Sequence, residues 1–152
     1  MAVTFTTIKN TNLETIIKFQ GVALDTGTIT LANLGAATQS RNADAPLVNI
    51  VKFIATGLLT SGVTVTRNTT LVLAAAAENA PVLDLNANGI SDSVANDKDI
   101  VVSIAGAAAT GYIVLRKIQG WSTKVETEQY GAYDDVTRVG ASTTQSGSPD
   151  KV

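Results

Sequence analysis

The chain has 152 residues, of which 45% are hydrophobic and only 16% charged, with a formal net charge of -2. There is no His and no Cys, which excludes Ser-His-Asp and Cys-His catalysis, His/Cys zinc sites, thiol redox chemistry and a disulfide framework. Eleven scattered basic residues against 13 acidic ones give no basic stripe, so neither nucleic acid nor an anionic membrane surface is an expected partner.

The length suggests one domain, with room for an arm. The surface left neutral by so few charges is supplied largely by threonine: there are 21 Thr, beside 21 Ala and 16 Val. Met1–Asn10 is Thr-rich and lacks a basic segment followed by an apolar one, so no secretory signal is expected.

Short apolar and Thr-rich segments recur between turn residues, the pattern of an all-β sandwich. In chain order the predicted strands are Val3–Ile8, Glu14–Gln20, Gly27–Leu31, Leu47–Ala55, Val63–Arg67, Leu71–Ala75, Ile100–Ala105 and Tyr112–Gln119. Thr and Val favour strands because branched side chains are stiff at χ1 and pack on a pleated surface. Leu47–Ala55 is almost continuously apolar, as in a strand covered on both faces. Asn68-Thr69 reads as a hairpin turn, and the last two strands read as a hairpin across Gly106–Gly111. Thr11-x-x-Glu14 matches a helix capping box, but Thr15, Ile16 and Ile17 are β-branched, so a strand is expected there. Ala74–Ala77 with Glu78 could form one helical turn ending before Pro81. The globular part, 1–120, is expected to end near Gly120, and 121–152 to form an extended, partly disordered C-terminal arm. Its Ala141–Asp150 stretch is too poor in apolar groups to offset its own ordering entropy.

Four local patterns bear on chemistry. Asp84-Leu85-Asn86-Ala87-Asn88-Gly89 matches part of an EF-hand calcium loop, but Ala95 stands where the bidentate Glu belongs. Asn-Gly favours a turn, and Asp and Asn side chains bond their own backbone, so a turn is expected there. The acidic groups Glu126/Glu128, Asp134/Asp135 and Asp92, Asp97, Asp99 read as solvated faces or a contact rim, not as a catalytic pair in a cleft. Asn68-Thr69-Thr70 is a formal glycosylation sequon whose expected role is the turn, and no Gly-rich phosphate loop is present. Trp121 is read either as a plug at the edge of its own domain or as a contact residue. Tyr130 and Tyr133, on a polar segment, suit contact with a partner. The candidate subunit-contact residues are thus Trp121, Tyr130, Tyr133, Asp134 and Asp135. No catalytic, cofactor-binding or metal-ligating residue is expected, and no cofactor.

Four segments are spread along the chain between residues 4 and 135: Thr4–Asn12 (TFTTIKNTN), Thr15–Gly21 (TIIKFQG), Asp99–Gly106 (DIVVSIAG) and Val125–Asp135 (VETEQYGAYDD). In texture and order they resemble small virion structural proteins of tailed bacteriophages. The resemblance implies a non-enzymatic, jelly-roll-like β-sandwich with a C-terminal arm, assembled in the host cytoplasm and carried on the virion. Its implied role is capsid decoration: a homo-oligomer, with a trimer favoured, that binds the major capsid protein or other virion subunits from outside and stabilises the shell. A neck, tail or fibre-base component is the alternative, and an extracellular carbohydrate-binding or adhesion module a further one.

Overall fold

The computed structural model describes residues 1–37, 39, 46–90 and 93–121. Among them are nine strands: β1 Thr4–Asn10, β2 Glu14–Gly21, β3 Thr26–Ile29, β4 Leu47–Gly57, β5 Gly62–Arg67, β6 Thr70–Ala76, β7 Val82–Asp84, β8 Ile100–Ala105 and β9 Ala109–Gln119. Two single turns of 3-10 helix, Leu31–Asn33 and Ala77–Asn79, interrupt them.

The strands form two antiparallel sheets, ordered β1-β2-β9-β4-β7 and β3-β8-β5-β6. The pairings β2 with β9, β3 with β8, β4 with β7 and β5 with β6 are those of one long antiparallel ribbon folded back at the β5–β6 turn. Winding that ribbon adds the pairings β4 with β9 and β5 with β8. This is the jelly-roll arrangement of a β-sandwich.

The alternation predicted for the strands is the one that fills the space between the sheets. Ile17 and Phe19 of β2, Phe53 and Ala55 of β4, and Ile113 and Leu115 of β9 meet Val63 and Val65 of β5 and Ile100, Val102 and Ile104 of β8 in one core. The rings of Phe19 and Phe53 stack with centroids 5.8 Å apart. Gly111 of β9 makes room for them: a Cβ there would lie 2.6 Å from Phe19 Cζ and 2.1 Å from the Ile54 carbonyl oxygen. The first half of β4 is covered on both faces, with Val48, Asn49, Ile50 and Val51 all buried, because the chain after β7 folds over its outer side. Leu85 and Asn86 both donate backbone N–H groups to the Val51 carbonyl.

Three expectations need correction. Ile100–Ala105 and the last strand do not form a hairpin, since β8 and β9 lie in different sheets. Each is a central strand with two partners, and pairing them with each other would forfeit one ladder apiece. Their short connection crosses the core as readily as it would turn back. Second, Ala74–Ala76 continue a strand, and the helical turn is the following Ala77–Asn79. Third, Val82–Asp84 is a strand that the turn-rich reading of that region missed; three residues carry no periodicity to detect. The Thr11–Glu14 pattern makes part of a capping box's bonds without a helix: Thr11 Oγ1 accepts from the N–H groups of Leu13 and Glu14 in the β1–β2 turn. Asn68 and Thr69 both take positive φ, 48° and 68°, the geometry of the tight turn that suits a right-twisted hairpin.

Candidate functional site

The ladder register places the C-terminal ends of β2, β4, β6 and β8 and the N-terminal ends of β3, β5 and β9 at one end of the sandwich: Gly21 and Gly57 both lie opposite Ala109, and Ala76 and Ala105 both lie opposite Gly62. Two connections there, β2–β3 and β4–β5, present large apolar side chains to solvent. Leu24 is 83% exposed, Leu58 64% and Leu59 75%, with Val22 about half exposed beside them. Isolated exposed leucines are ordinary, but a group of them on neighbouring loops marks a contact surface.

The loops are held together by their backbones. Leu24 N–H donates to the Ile104 carbonyl, and Ile104 N–H to that of Asp25, both at 2.8 Å. The Asp25 carboxylate is buried and accepts from Val22 N–H at 3.0 Å. Ala108 O accepts from Ser61 Oγ at 2.6 Å and from Leu58 N–H at 3.2 Å. Thr60 N–H donates to Glu78 Oε1 at 3.2 Å. Gly106 lies so close to this loop that a Cβ would come within 2.0 Å of the Thr60 carbonyl oxygen, and its φ is 82°. Leu24 and Thr60 have φ of 67° and 72°, a region that costs side-chain-bearing residues about 1–2 kcal/mol each. The hydrogen bonds of the Leu24 and Thr60 N–H groups hold both residues in it. Next to the loops, an open groove of about 700 Å³ is lined by Lys18, Gln20, Val22, Thr56, Leu58 and Thr110, among others.

Charged groups are committed elsewhere. All six carboxylates of the described residues have partners: Glu14 pairs with Lys9 and Asp97 with Lys98, Asp84 accepts from Ala87 N–H and faces Lys52, Asp99 accepts from Leu31 N–H, and Asp25 and Glu78 are bonded as above. The Ala87 N–H, helped by Lys52, lowers the pKa of Asp84, and the Lys98 ammonium lowers that of Asp97. No group of three metal-ligating side chains occurs among the described residues. The Asp84–Gly89 segment is a turn closed by Ala87 N–H on Asp84 Oδ1 and Asn88 Nδ2 on the Asp84 carbonyl, with Gly89 at φ 71°. Asp97 and Asp99 serve separate partners, and Asp92 lies outside the described residues.

Two buried cations at the opposite end escaped the sequence reading. Arg67, 1% exposed, donates from Nη1 to the Val48 carbonyl at 2.6 Å, from Nη2 to those of Asn96 and Lys98 at 2.9 and 2.8 Å, and from Nε to Lys98 O at 3.0 Å. Lys117 Nζ donates to Gln39 Oε1 at 2.6 Å, Thr11 O at 2.8 Å and Asn10 Oδ1 at 2.9 Å, and sits 5.1 Å from the centre of the Trp121 ring. Burial lowers its pKa to about 8.

Trp121, an expected contact residue, is placed in its own domain. It is 6% exposed, packs in the core cluster and donates Nε1–H to the Leu47 carbonyl at 3.4 Å, so the packed unit reaches past Gly120. Tyr130, Tyr133, Asp134, Asp135, the pair Glu126/Glu128 and the rest of the expected arm lie outside the described residues. No helix among the described residues is long and apolar enough to cross a membrane. No family model matches the chain, and neither a curated protein nor a solved structure matches it.

Proposed function

We propose that this protein is a structural component of a tailed-phage virion, a homo-oligomeric decoration subunit that binds the outer capsid surface and stabilises it through contact rather than chemistry. The observation that carries the reading is the rigid apolar loop end, with Leu24, Leu58 and Leu59 set outward by bonded loops. Burying such leucines against another protein would contribute about 1–2 kcal/mol each. Repeated over many symmetric sites, modest contacts of this kind add up. The acids of the described residues are tied up in turns and ion pairs, which supports a role without catalysis. A carbohydrate platform would want several exposed aromatics, whereas among the described residues Tyr112 is the one aromatic that stands among the exposed large side chains.

The test is binding to expanded capsids of the parent phage, followed by calorimetry of the shells. The native protein should bind and raise the capsid melting temperature. A folded Leu58→Ser/Leu59→Ser variant should bind more weakly. Failure of the native protein to bind would end the decoration reading, and a copy number of six or twelve per virion would move it to the neck or tail.

A further inference from the structure

A sandwich exposes four sheet edges, and each open row of N–H and C=O groups is a template for another strand. Three edges here are guarded. β7 has three residues and β3 four, while β1 carries Lys9 and a register irregularity between Thr7 and Lys9. The fourth, β6, is seven residues long, Thr-Leu-Val-Leu-Ala-Ala-Ala, with no charge and no proline. Among the described residues β5 is its one strand partner. Leu71, Ala74 and Ala76 are exposed along it. The irregularity opposite Val65/Thr66 falls at Val72 and leaves Leu73–Ala76 regular.

We propose that two copies of this chain join through β6, antiparallel about a two-fold axis, so that their four-stranded sheets become one eight-stranded sheet. The edge selects an extended backbone, because only that answers its row of donors and acceptors. Its neutrality makes it compatible with itself: no like charges meet along the strand. Its size gradient fixes the direction. Antiparallel pairing about an axis at Ala74 sets Val72 and Leu73 of one copy against Ala76 and Ala75 of the other, whereas parallel pairing would set bulk on bulk and leave the alanines facing a gap. The flanks agree, since antiparallel pairing brings Glu78 of each copy near the neutral Asn68-Thr69 turn of the other and away from its twin. A two-fold contact of this sort is isologous and closes on itself. It involves neither the apolar loop end nor the capsid, so it stands or falls apart from the decoration reading.

The experiment is native mass spectrometry and light scattering on the full chain, free of other virion proteins. The native protein should form even-numbered species. Ala74→Lys places two ammonium groups beside the axis and should weaken the pair at least tenfold, while Thr6→Lys on the β1 edge should leave it unchanged. Because the chain has no Cys, Ala74→Cys is a clean reporter. Oxidation should give a band of twice the chain mass on a non-reducing gel, and Thr6→Cys should not. A native protein that stays monomeric or forms only odd-numbered species would overturn the proposal, as would an Ala74→Lys variant that pairs like the native chain. Should Ala74→Lys fail to fold, the cysteine pair decides: equal cross-linking at positions 74 and 6 would overturn it.

Discussion

Replacing Arg67 by Met keeps most of the aliphatic stem and deletes the guanidinium. The carbonyls of Val48 and Lys98 then lose the guanidinium as donor in a place where Arg67 itself is 1% exposed, while that of Asn96 keeps the Val48 N–H at 3.0 Å. A buried acceptor left without a partner costs about 1–3 kcal/mol, so the gross loss is about 2–6 kcal/mol. Against it stands part of the desolvation cost of the charge, which the variant no longer bears. The net expectation is a loss of about 2 kcal/mol. For a domain of this size that lowers the melting temperature by about 6 °C. Urea unfolding would read it as a lower midpoint with an unchanged slope. Arg67→Lys separates charge from geometry. One ammonium cannot span carbonyls that a planar fork reaches from three nitrogens, so Lys should recover less than half of the loss. A Met variant within about 1 kcal/mol of the native protein, or a Lys variant equal to it, would refute the reasoning.

Lys117 sets a pH dependence whose sign follows from its burial. With a folded pKa of about 8 against an ordinary 10.5, the unfolded chain holds the proton more tightly between those values, so stability rises with pH across that window, by at most about 3 kcal/mol. Urea midpoints at pH 7 and pH 10 for the native protein and Lys117→Met should show that rise in the native protein alone; parallel curves would refute it. Gly106→Ala should cost more than about 3 kcal/mol, because it adds a clash with the Thr60 carbonyl to the positive φ, whereas Gly89→Ala, which meets nothing within 4 Å, should cost about 1–2 kcal/mol of backbone strain; equal losses in thermal melts would count against the close approach. Leu58→Ser/Leu59→Ser should leave the melting temperature within about 2 °C, since both side chains are largely exposed and solvent-side substitutions stay near ±0.5 kcal/mol.

The two buried cations show how far the alternation could have been read. In β5 the inward positions are Val63, Val65 and Arg67; in β9 they are Ile113, Leu115 and Lys117. Period two places a basic residue on the buried face at the end of both strands, which is a visible signal that the cation will be satisfied by carbonyls and amides rather than by water. The eight longer strands were legible for the same reason. Strand partners were not: β8 and β9 are joined by a short Gly-containing link that serves a hairpin or an arch between sheets equally, and only the ladders to β2, β3, β4 and β5 decide it. The apolar loop end was invisible in the chain because Leu24, Leu58-Leu59 and Gly106 are far apart in sequence. Nothing in a single loop announces that three of them converge.

The ends of the sandwich divide the chemistry, and the division constrains how the protein can bind. Arg67 and Lys117 spend their charge on backbone and amide oxygens at one end, locking the loops there in place. At the other end Asp25 and Glu78 are bonded to backbone N–H groups, and the large side chains exposed there are leucine and valine, beside the smaller or polar Thr60, Glu78 and Asn79. Association through that end should release little counterion and much ordered water. It should therefore be insensitive to salt beyond the screening of weak surface charges and show a negative heat-capacity change. The outer face of the larger sheet offers the contrasting case, with Lys18, Lys52 and Arg116 at least partly open to solvent. Capsid binding that collapses between low and moderate salt would mean that this basic face makes the contact, and that the apolar loops serve some other neighbour.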